Sequence, residues 1–242
     1  MASRGAALVT GGARRIGRVL AATAAEAGYD VAIHVRTIDD AAEAAAADVR
    51  ARGRRATLLA CDLRKESTTV ALVGEAEAEL GPVTLLVNSA SVFEEDRFSD
   101  FNRASWDLHL ETNLRAPLVL AQAFARRLPA EREGLIVNIL DQRVLNPTAE
   151  FFSYSLSKAA LWEATRMLAI DLAPRIRVNG IGPGPTLPSI HQDQAAFDAE
   201  AAATLLKRPV PPDEIGLALR YLIDASAVTG QMIAVDSGQH LS

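Results

Sequence analysis

The chain has 242 residues, of which 49% are hydrophobic and 23% charged, a balance that suits one soluble domain with a sizeable core. A net charge of −5 argues against a surface built for nucleic-acid phosphates, and the single cysteine, Cys61, rules out an internal disulfide and a cysteine-rich metal site. No apolar run reaches membrane-spanning length and the opening MASRGAALVTGG is too weakly apolar for a secretory signal, so a cytoplasmic protein without a membrane partner is expected.

Apolar bursts alternate with helical patterns along the chain. Residues 6–10 (AALVT) form a short continuous apolar run, followed by Gly11 and Gly12 and an Ala-rich helix over 14–27 that Gly28 stops. Residues 30–35 make a second strand, and 38–52 a second Ala-rich helix ended by Gly53. Strand three covers 57–61, a helix covers 66–80 up to Gly81-Pro82, and strand four covers 83–88. One or two helices occupy 103–128, strand five 134–140, and a helix 151–173 stops before Pro174. Strand six spans 177–181; residues 183–212 are irregular and proline-rich with an Ala-rich helical insert; a helix over 213–223 and a strand over 231–235 close the chain. Strands that are apolar throughout are buried on both faces, as in a parallel sheet covered by helices. Strict alternation, with no interior linker or repeat, gives one doubly wound α/β domain of about seven parallel strands joined by right-handed crossovers.

The first strand-to-helix turn reads Thr10-Gly11-Gly12-Ala13-Arg14-Arg15-Ile16-Gly17. Its glycines let the backbone approach a pyrophosphate, and the helix N-terminus offers free N–H groups to an anion. The end of strand two reads His34-Val35-Arg36-Thr37, with no acid until Asp39. Arg36, Thr37 and Arg14 there suit a ribose 2′-phosphate and favour NADPH over NADH. Asp62, just after strand three, either accepts from an adenine amino group or caps a helix. Small residues from Asn88 to Ser91 leave room beside a cofactor at the C-terminal edge of the sheet. Phe93 is either a stacking surface for a planar substrate or a core plug. Pro117 lacks the N–H that would pair with the Asn113 carbonyl. Either that carbonyl holds a water relaying protons toward Lys158, or Pro117 simply begins a helix. Tyr154 and Lys158 lie one helical turn apart. A cation beside a phenol, whose free pKa is about 10, favours the phenolate and eases proton release near neutral pH. The histidines at 34, 109, 191 and 240 share no metal-ligand spacing and are read as structural or solvated, so no metal is expected.

Taken together these motifs resemble the short-chain dehydrogenase/reductase family over nearly the whole chain. The glycine turn, Asn88-Ser89-Ala90, Asn113, Tyr154-Ser-Leu-Ser-Lys158, Arg177-Val-Asn-Gly, Pro183-Gly184 and the closing Thr229-Gly230 to Ser237-Gly238 fall in family order. Arg15 where the family usually has a third glycine, Asp141 where it usually has a serine, and Phe93 are all similar to the pteridine reductase branch, including bacterial dihydromonapterin reductases. The resemblance implies a Rossmann-like fold and a homotetramer built through the late helix and last strand. It implies that Phe93 stacks on a pterin, Asp141 and Tyr154 manage protons, Lys158 holds the ribose, and Arg15 contacts phosphate and substrate. Ile16, Leu63, Ala90, Ser91 and the Pro183-Gly184 backbone complete the expected cofactor site. Ser91 is also expected to touch the substrate, and Leu187 lies at the mouth of a lid over about 184–212.

An acid suits a heterocycle. Hydride goes to the carbon of a C=N bond and the nitrogen needs a proton, whereas a serine polarises a carbonyl without readily delivering one. Asp141 serves either as a protonated donor or as an acceptor from a pterin amino group. The rival readings are a general carbonyl reductase acting on oxoacyl thioesters, sugars or ketones, and a non-catalytic dinucleotide-binding or sensing protein.

Overall fold

The computed structural model describes residues 4–189 and 192–242, so His191 lies outside the described residues. In chain order the elements are β1 (Ala6–Thr10), α1 (Arg15–Glu26), β2 (Asp30–Val35), α2 (Asp40–Ala51) and β3 (Ala56–Ala60). Next come α3 (Glu66–Thr69), α4 (Leu72–Leu80), β4 (Val83–Asn88), α5 (Arg103–Leu110), α6 (Ala116–Arg127), β5 (Gly134–Ile139) and α7 (Phe152–Asp171). The chain closes with β6 (Ile176–Pro183), α8 (Gln194–Ala203), α9 (Pro212–Asp224) and β7 (Met232–Val235). All seven strands run parallel in one sheet of order β3-β2-β1-β4-β5-β6-β7.

The sheet divides the core into two apolar layers. On one face α1, α2 and α9 pack Leu20, Val49, Ile215 and Leu219 against Val9, Ile33 and Val137. On the other, α4, α6 and α7 bring Leu72, Leu120, Phe124 and Ala169 against Leu8, Leu86 and Ile136. Burying each such Leu or Phe stabilises the fold by about 2 kcal/mol. The alanines of α2 are close-packed: Ala42, Ala45 and Ala46 are buried against the sheet. Burial on both faces holds for β1, β2, β4 and β5, whereas β3 and β7 are only half-buried because each sits at an edge with one neighbour.

Two helices depart from the sequence expectation. The helix expected over 66–80 breaks after Thr69. The run Ser67-Thr68-Thr69-Val70 has poor helix formers, and the buried Thr69 hydroxyl instead donates back to the Leu63 carbonyl at 2.9 Å. Over 103–128, α5 passes into a π-helical segment, Glu111–Arg115, before α6. There the Ala116 N–H reaches the Glu111 carbonyl five residues back, and Pro117 sits in the first turn of α6. The helix therefore does run through this region, in a wider register that absorbs the proline. Chain order reverses about β1, between β2 and β4, which opens a crevice above the C-terminal ends of β1 and β4.

Candidate active site

The glycine turn forms one wall of that crevice. Gly11 takes a φ of +64°, and a Cβ on it would lie 2.9 Å from the Ala90 Cα. Thr10 Oγ1 accepts from the Ser89 and Ala90 N–H groups at 3.0 Å each, tying β1 to the loop after β4. His34 adds a second tie. Its Nδ1 accepts weakly from the Gly11 N–H at 3.4 Å, and its Nε2 lies 3.2 Å from the Cys61 carbonyl, which it meets as the donor. Burial lowers its pKa, in keeping with a neutral ring. Arg15 occupies a left-handed φ of +50°, which explains why glycine is the easier residue at that step. Its guanidinium spans the crevice to donate to the Leu187 and Pro188 carbonyls at 3.1 and 2.9 Å. In this structure Arg15 thus joins the turn to the start of the segment after β6.

At the far end of the crevice Arg14 and Arg36 both line the cavity, while Thr37 is exposed and does not line it. Arg14 is bonded to Asp39 at 2.6 Å, and Asp39 also caps α2 through the Ala42 N–H, so part of Arg14's charge is already compensated. Asp62 is engaged by Arg64 through Nε and Nη2. That contact, more than any other, lowers its pKa to about 2. The carboxylate expected to meet an adenine amino group is therefore held by its own loop. Leu63 is buried and lines the cavity beside it.

At the other end Tyr154, buried at the start of α7, donates its hydroxyl to Asp141 Oδ2 at 2.7 Å. Asp141 Oδ1 accepts from the Arg143 N–H at 2.9 Å, so both oxygens of the carboxylate act as acceptors. Lys158, fully buried, donates its Nζ to the Ile139 carbonyl at 2.8 Å and lies 5.7 Å from the centre of the Tyr154 ring. This corrects the expectation that Lys158 eases release of the phenol proton. Burial first, then the Asp141 carboxylate, pushes Tyr154 well above its ordinary value. Burial also brings Lys158 down to about 8 from the usual 10.5. Between those two values the unfolded chain keeps a proton that the folded chain has released, so stability rises with pH across that window. Below pH 8 the buried ammonium costs about 3 kcal/mol. Lys158→Met is expected to stabilise the cofactor-free protein at pH 7 while abolishing turnover, with the difference shrinking toward pH 10. Denaturant melts across pH 7–10 check it, and a gap independent of pH would show that no such penalty exists.

Phe93 stacks on Phe151, with ring centres 4.1 Å apart, and meets the Tyr154 ring edge-on at 4.7 Å. Phe151 itself holds a left-handed φ of +52° ahead of α7. The side chain of Asn113 ties the π-helical segment to the loop after β4. Its Oδ1 accepts from the Val92 N–H at 2.8 Å and the Ser91 hydroxyl at 3.2 Å, and its Nδ2 donates to the Val92 carbonyl. Asn113 is buried and does not line the cavity, so its place is behind the Ser91–Phe93 loop. Asn88 is likewise turned inward, donating to Asn138 at 2.8 Å, although its Oδ1 finds no hydrogen-bond partner among the described residues.

One cavity of about 530 Å³ collects Gly11, Arg14, Arg15, Ile16, Gly17, Arg36, Asp62, Leu63, Ala90, Ser91, Phe93, Asp141, Tyr154, Lys158, Pro183, Gly184 and Leu187. Sequence reasoning missed its supporting residues. His109, fully buried, places Nδ1 2.7 Å from Ser153 Oγ, which in turn donates to Asp96. His109 Nε2 accepts from the Glu94 N–H at 3.1 Å, so this chain fixes the loop after Phe93 to the residue before Tyr154. Only the position of Ser153 beside Tyr154 signals this in sequence. Among the described residues no group of three or more His, Cys, Asp or Glu is placed to hold a metal ion, and no helix is long and apolar enough to cross a membrane.

A nucleotide crevice at the strand-order reversal, with Tyr and Lys one turn apart at its end, defines a dinucleotide-dependent oxidoreductase architecture. The family model for short chain dehydrogenases matches residues 5–198, and the chain belongs to that family. Over the whole chain it is similar to the structure of FolM alternative dihydrofolate reductase 1 from Brucella suis in complex with NADP. The identity is 45%, the TM-score 0.95, and the match covers 100% of this chain and 97% of that one. It is 34% identical to an uncharacterised oxidoreductase from Mycobacterium tuberculosis, over 96% of this chain and 90% of that one. It is 32% identical to a 3-oxoacyl-[acyl-carrier-protein] reductase from Bos taurus, over 97% of each.

Proposed function

We propose that the protein is an NADPH-dependent reductase of a pteridine, of dihydropterin type. The observation that carries this reading is the 2.7 Å bond from the Tyr154 hydroxyl to Asp141 beside the ring of Phe93. The crevice fits a dinucleotide: the bare backbone at Gly11 leaves no room for a Cβ, and Arg36 supplies a cation where a 2′-phosphate belongs. The NADP complex of the Brucella protein supports the same cofactor. When bound, NADPH supplies a hydride to the carbon of the substrate's C=N bond.

The chain's own residues then handle the proton. Asp141 orients the Tyr154 O–H, and the high phenol pKa keeps the proton in place through the neutral range. Tyr154 Oη releases it only to a strong base, the substrate nitrogen as it becomes anionic, and is reprotonated from solvent before the next turnover. Lys158, anchored on Ile139, holds the ribose side, and Phe93 offers a face to the planar ring once it separates from Phe151. Residues 184–212 serve as the lid, tethered by Arg15. Exposed Leu217 and Tyr221 on α9 support assembly of copies into a cytoplasmic tetramer through this helix and β7.

The bovine relative's name favours a second reading, a ketone reductase on the same frame. NADPH oxidation with dihydropterins, dihydrofolate and simple carbonyls decides between them, together with Asp141→Ser. The serine variant is expected to lose about 10–100-fold on dihydropterins and to keep or gain activity on ketones. Ketone reduction by the parent protein that Asp141→Ser keeps or raises, with dihydropterins unreduced by the parent, would reverse the assignment.

A further inference from the structure

Behind the Phe93 loop, α5 and its π-helical continuation meet α7 through two side-chain rungs. His109 Nδ1 lies 2.7 Å from Ser153 Oγ, and Asn113 Nδ2 donates to Ser157 Oγ at 3.1 Å. On each helix the two rung residues stand four apart, about one turn. Tyr154 and Lys158 each follow a rung serine directly. On their other side the same two residues grip the loop: Asn113 holds Val92, and His109 Nε2 accepts from the Glu94 N–H at 3.1 Å. Phe93 is thus suspended between the rungs, its ring 4.7 Å from that of Tyr154.

Only one state of His109 makes both of its bonds. Ser153 Oγ donates its proton to Asp96, so it accepts from His109, whose proton must sit on Nδ1. Nε2 is then the bare acceptor that meets the Glu94 N–H. Asp96 fixes this polarity. Burial opposes its ionisation, but the Ser153 hydroxyl and N–H hold it below the ordinary carboxylate value. It also caps α7, which has no side-chain cap from its own N-cap residue, at the end where the helix dipole favours an anion. A second proton, on Nε2, would set a donor against the Glu94 N–H and break that bond. Burial lowers the His109 pKa, outweighing Asp96, Glu94 and the Ser105 carbonyl, which raise it. Tyr154, edge-on at 6.0 Å with its phenol held neutral, adds no charge of its own.

We infer that neutral His109 is a positioning residue, which holds Phe93 where a planar substrate can meet it beside Tyr154, and that protonation of His109 releases the Phe93 loop. The inference rests on the pteridine reading, which gives Phe93 a ring to face. Steady-state kinetics of the intact protein with a dihydropterin and NADPH, from pH 5 to 8, test it. His109→Leu keeps bulk but neither bond. It is expected to raise KM for the dihydropterin about 10-fold at pH 7, with kcat and KM for NADPH within about 3-fold of the parent. His109→Gln offers a donor and an acceptor without titrating. It is expected to recover most of that loss and to flatten the rise in dihydropterin KM that the parent shows below about pH 6.5. Nitrogen NMR on histidine-labelled protein reads the ring itself, with the His109 signals assigned by their absence from the glutamine variant. They are expected to show the Nδ1–H tautomer and a titration below about 6.5. An Nε2–H tautomer, an unchanged KM in His109→Leu, or an acid rise that survives in His109→Gln would each overturn the positioning role and leave the pteridine reading standing. The tautomer decides even if His109→Leu fails to fold. No turnover of any dihydropterin by the parent protein would overturn both.

Discussion

Tyr154→Phe is expected to lower kcat for dihydropterin reduction by about 10²–10⁴-fold while leaving KM for NADPH within about 3-fold. The ring would still fill its buried place beside Phe93, and Lys158 would still rest on the Ile139 carbonyl, so cofactor and substrate positions survive. What is lost is the only hydroxyl that Asp141 orients at 2.7 Å among the described residues. Stability should fall by about 1 kcal/mol, since Asp141 Oδ2 loses its donor at a partly solvated position. A melt within a few degrees of the parent, with NADPH still bound and turnover gone, separates a missing proton donor from a damaged fold. A variant that turned over at the parent rate would remove Tyr154 from the chemistry and leave Asp141 as the group to test.

How far this centre was legible depends on the range of the interactions. Strand positions could be read because a covered parallel strand is a run of apolar residues, and β1, β2 and β4 match the expected segments residue for residue. The Tyr154–Lys158 spacing correctly put both on one helix, since one turn is a local fact. The electrostatics were not legible. Sequence spacing has the ammonium easing the phenol's ionisation, but in three dimensions the nearest charge to the hydroxyl is Asp141, thirteen residues away in sequence. The same holds for Arg14, whose partner Asp39 comes from the start of the next helix. Asn113 shows a subtler gap. Pro117 rightly marked a disturbance in the helix, but its form, a π-helical segment whose Asn113 side chain binds the Val92 N–H, is one that no composition announces. Gln142 and Arg143 look like ordinary loop residues, and only packing reveals that their polar atoms are buried without partners.

The largest structural effect is expected at Gly17, inside the first turn of α1. By helix propensity alone, Gly→Ala in a helix stabilises by about 1 kcal/mol. At Gly17 the sign should reverse, because a Cβ there would sit 2.1 Å from the Gly11 carbonyl oxygen and 3.2 Å from the Gly12 Cα. Both neighbours are backbone, so no rotamer change relieves the clash. The turn must move, and with it the loop after β4 that Gly11 touches at Ala90. Gly17→Ala is therefore expected to destabilise by about 2–4 kcal/mol and to weaken NADPH binding at least about 100-fold. Gly74 in α4 provides the control. Its added Cβ would approach only the guanidinium of Arg127, 3.1 Å away at the end of a flexible, half-exposed side chain. Gly74→Ala should accordingly follow propensity, staying neutral or gaining up to about 1 kcal/mol. Denaturant melts and fluorescence titration with NADPH on the two variants compare the same chemical change in two helices. If Gly17→Ala matched Gly74→Ala in both measurements, the close approach of α1 to the turn would not be what shapes the cofactor crevice.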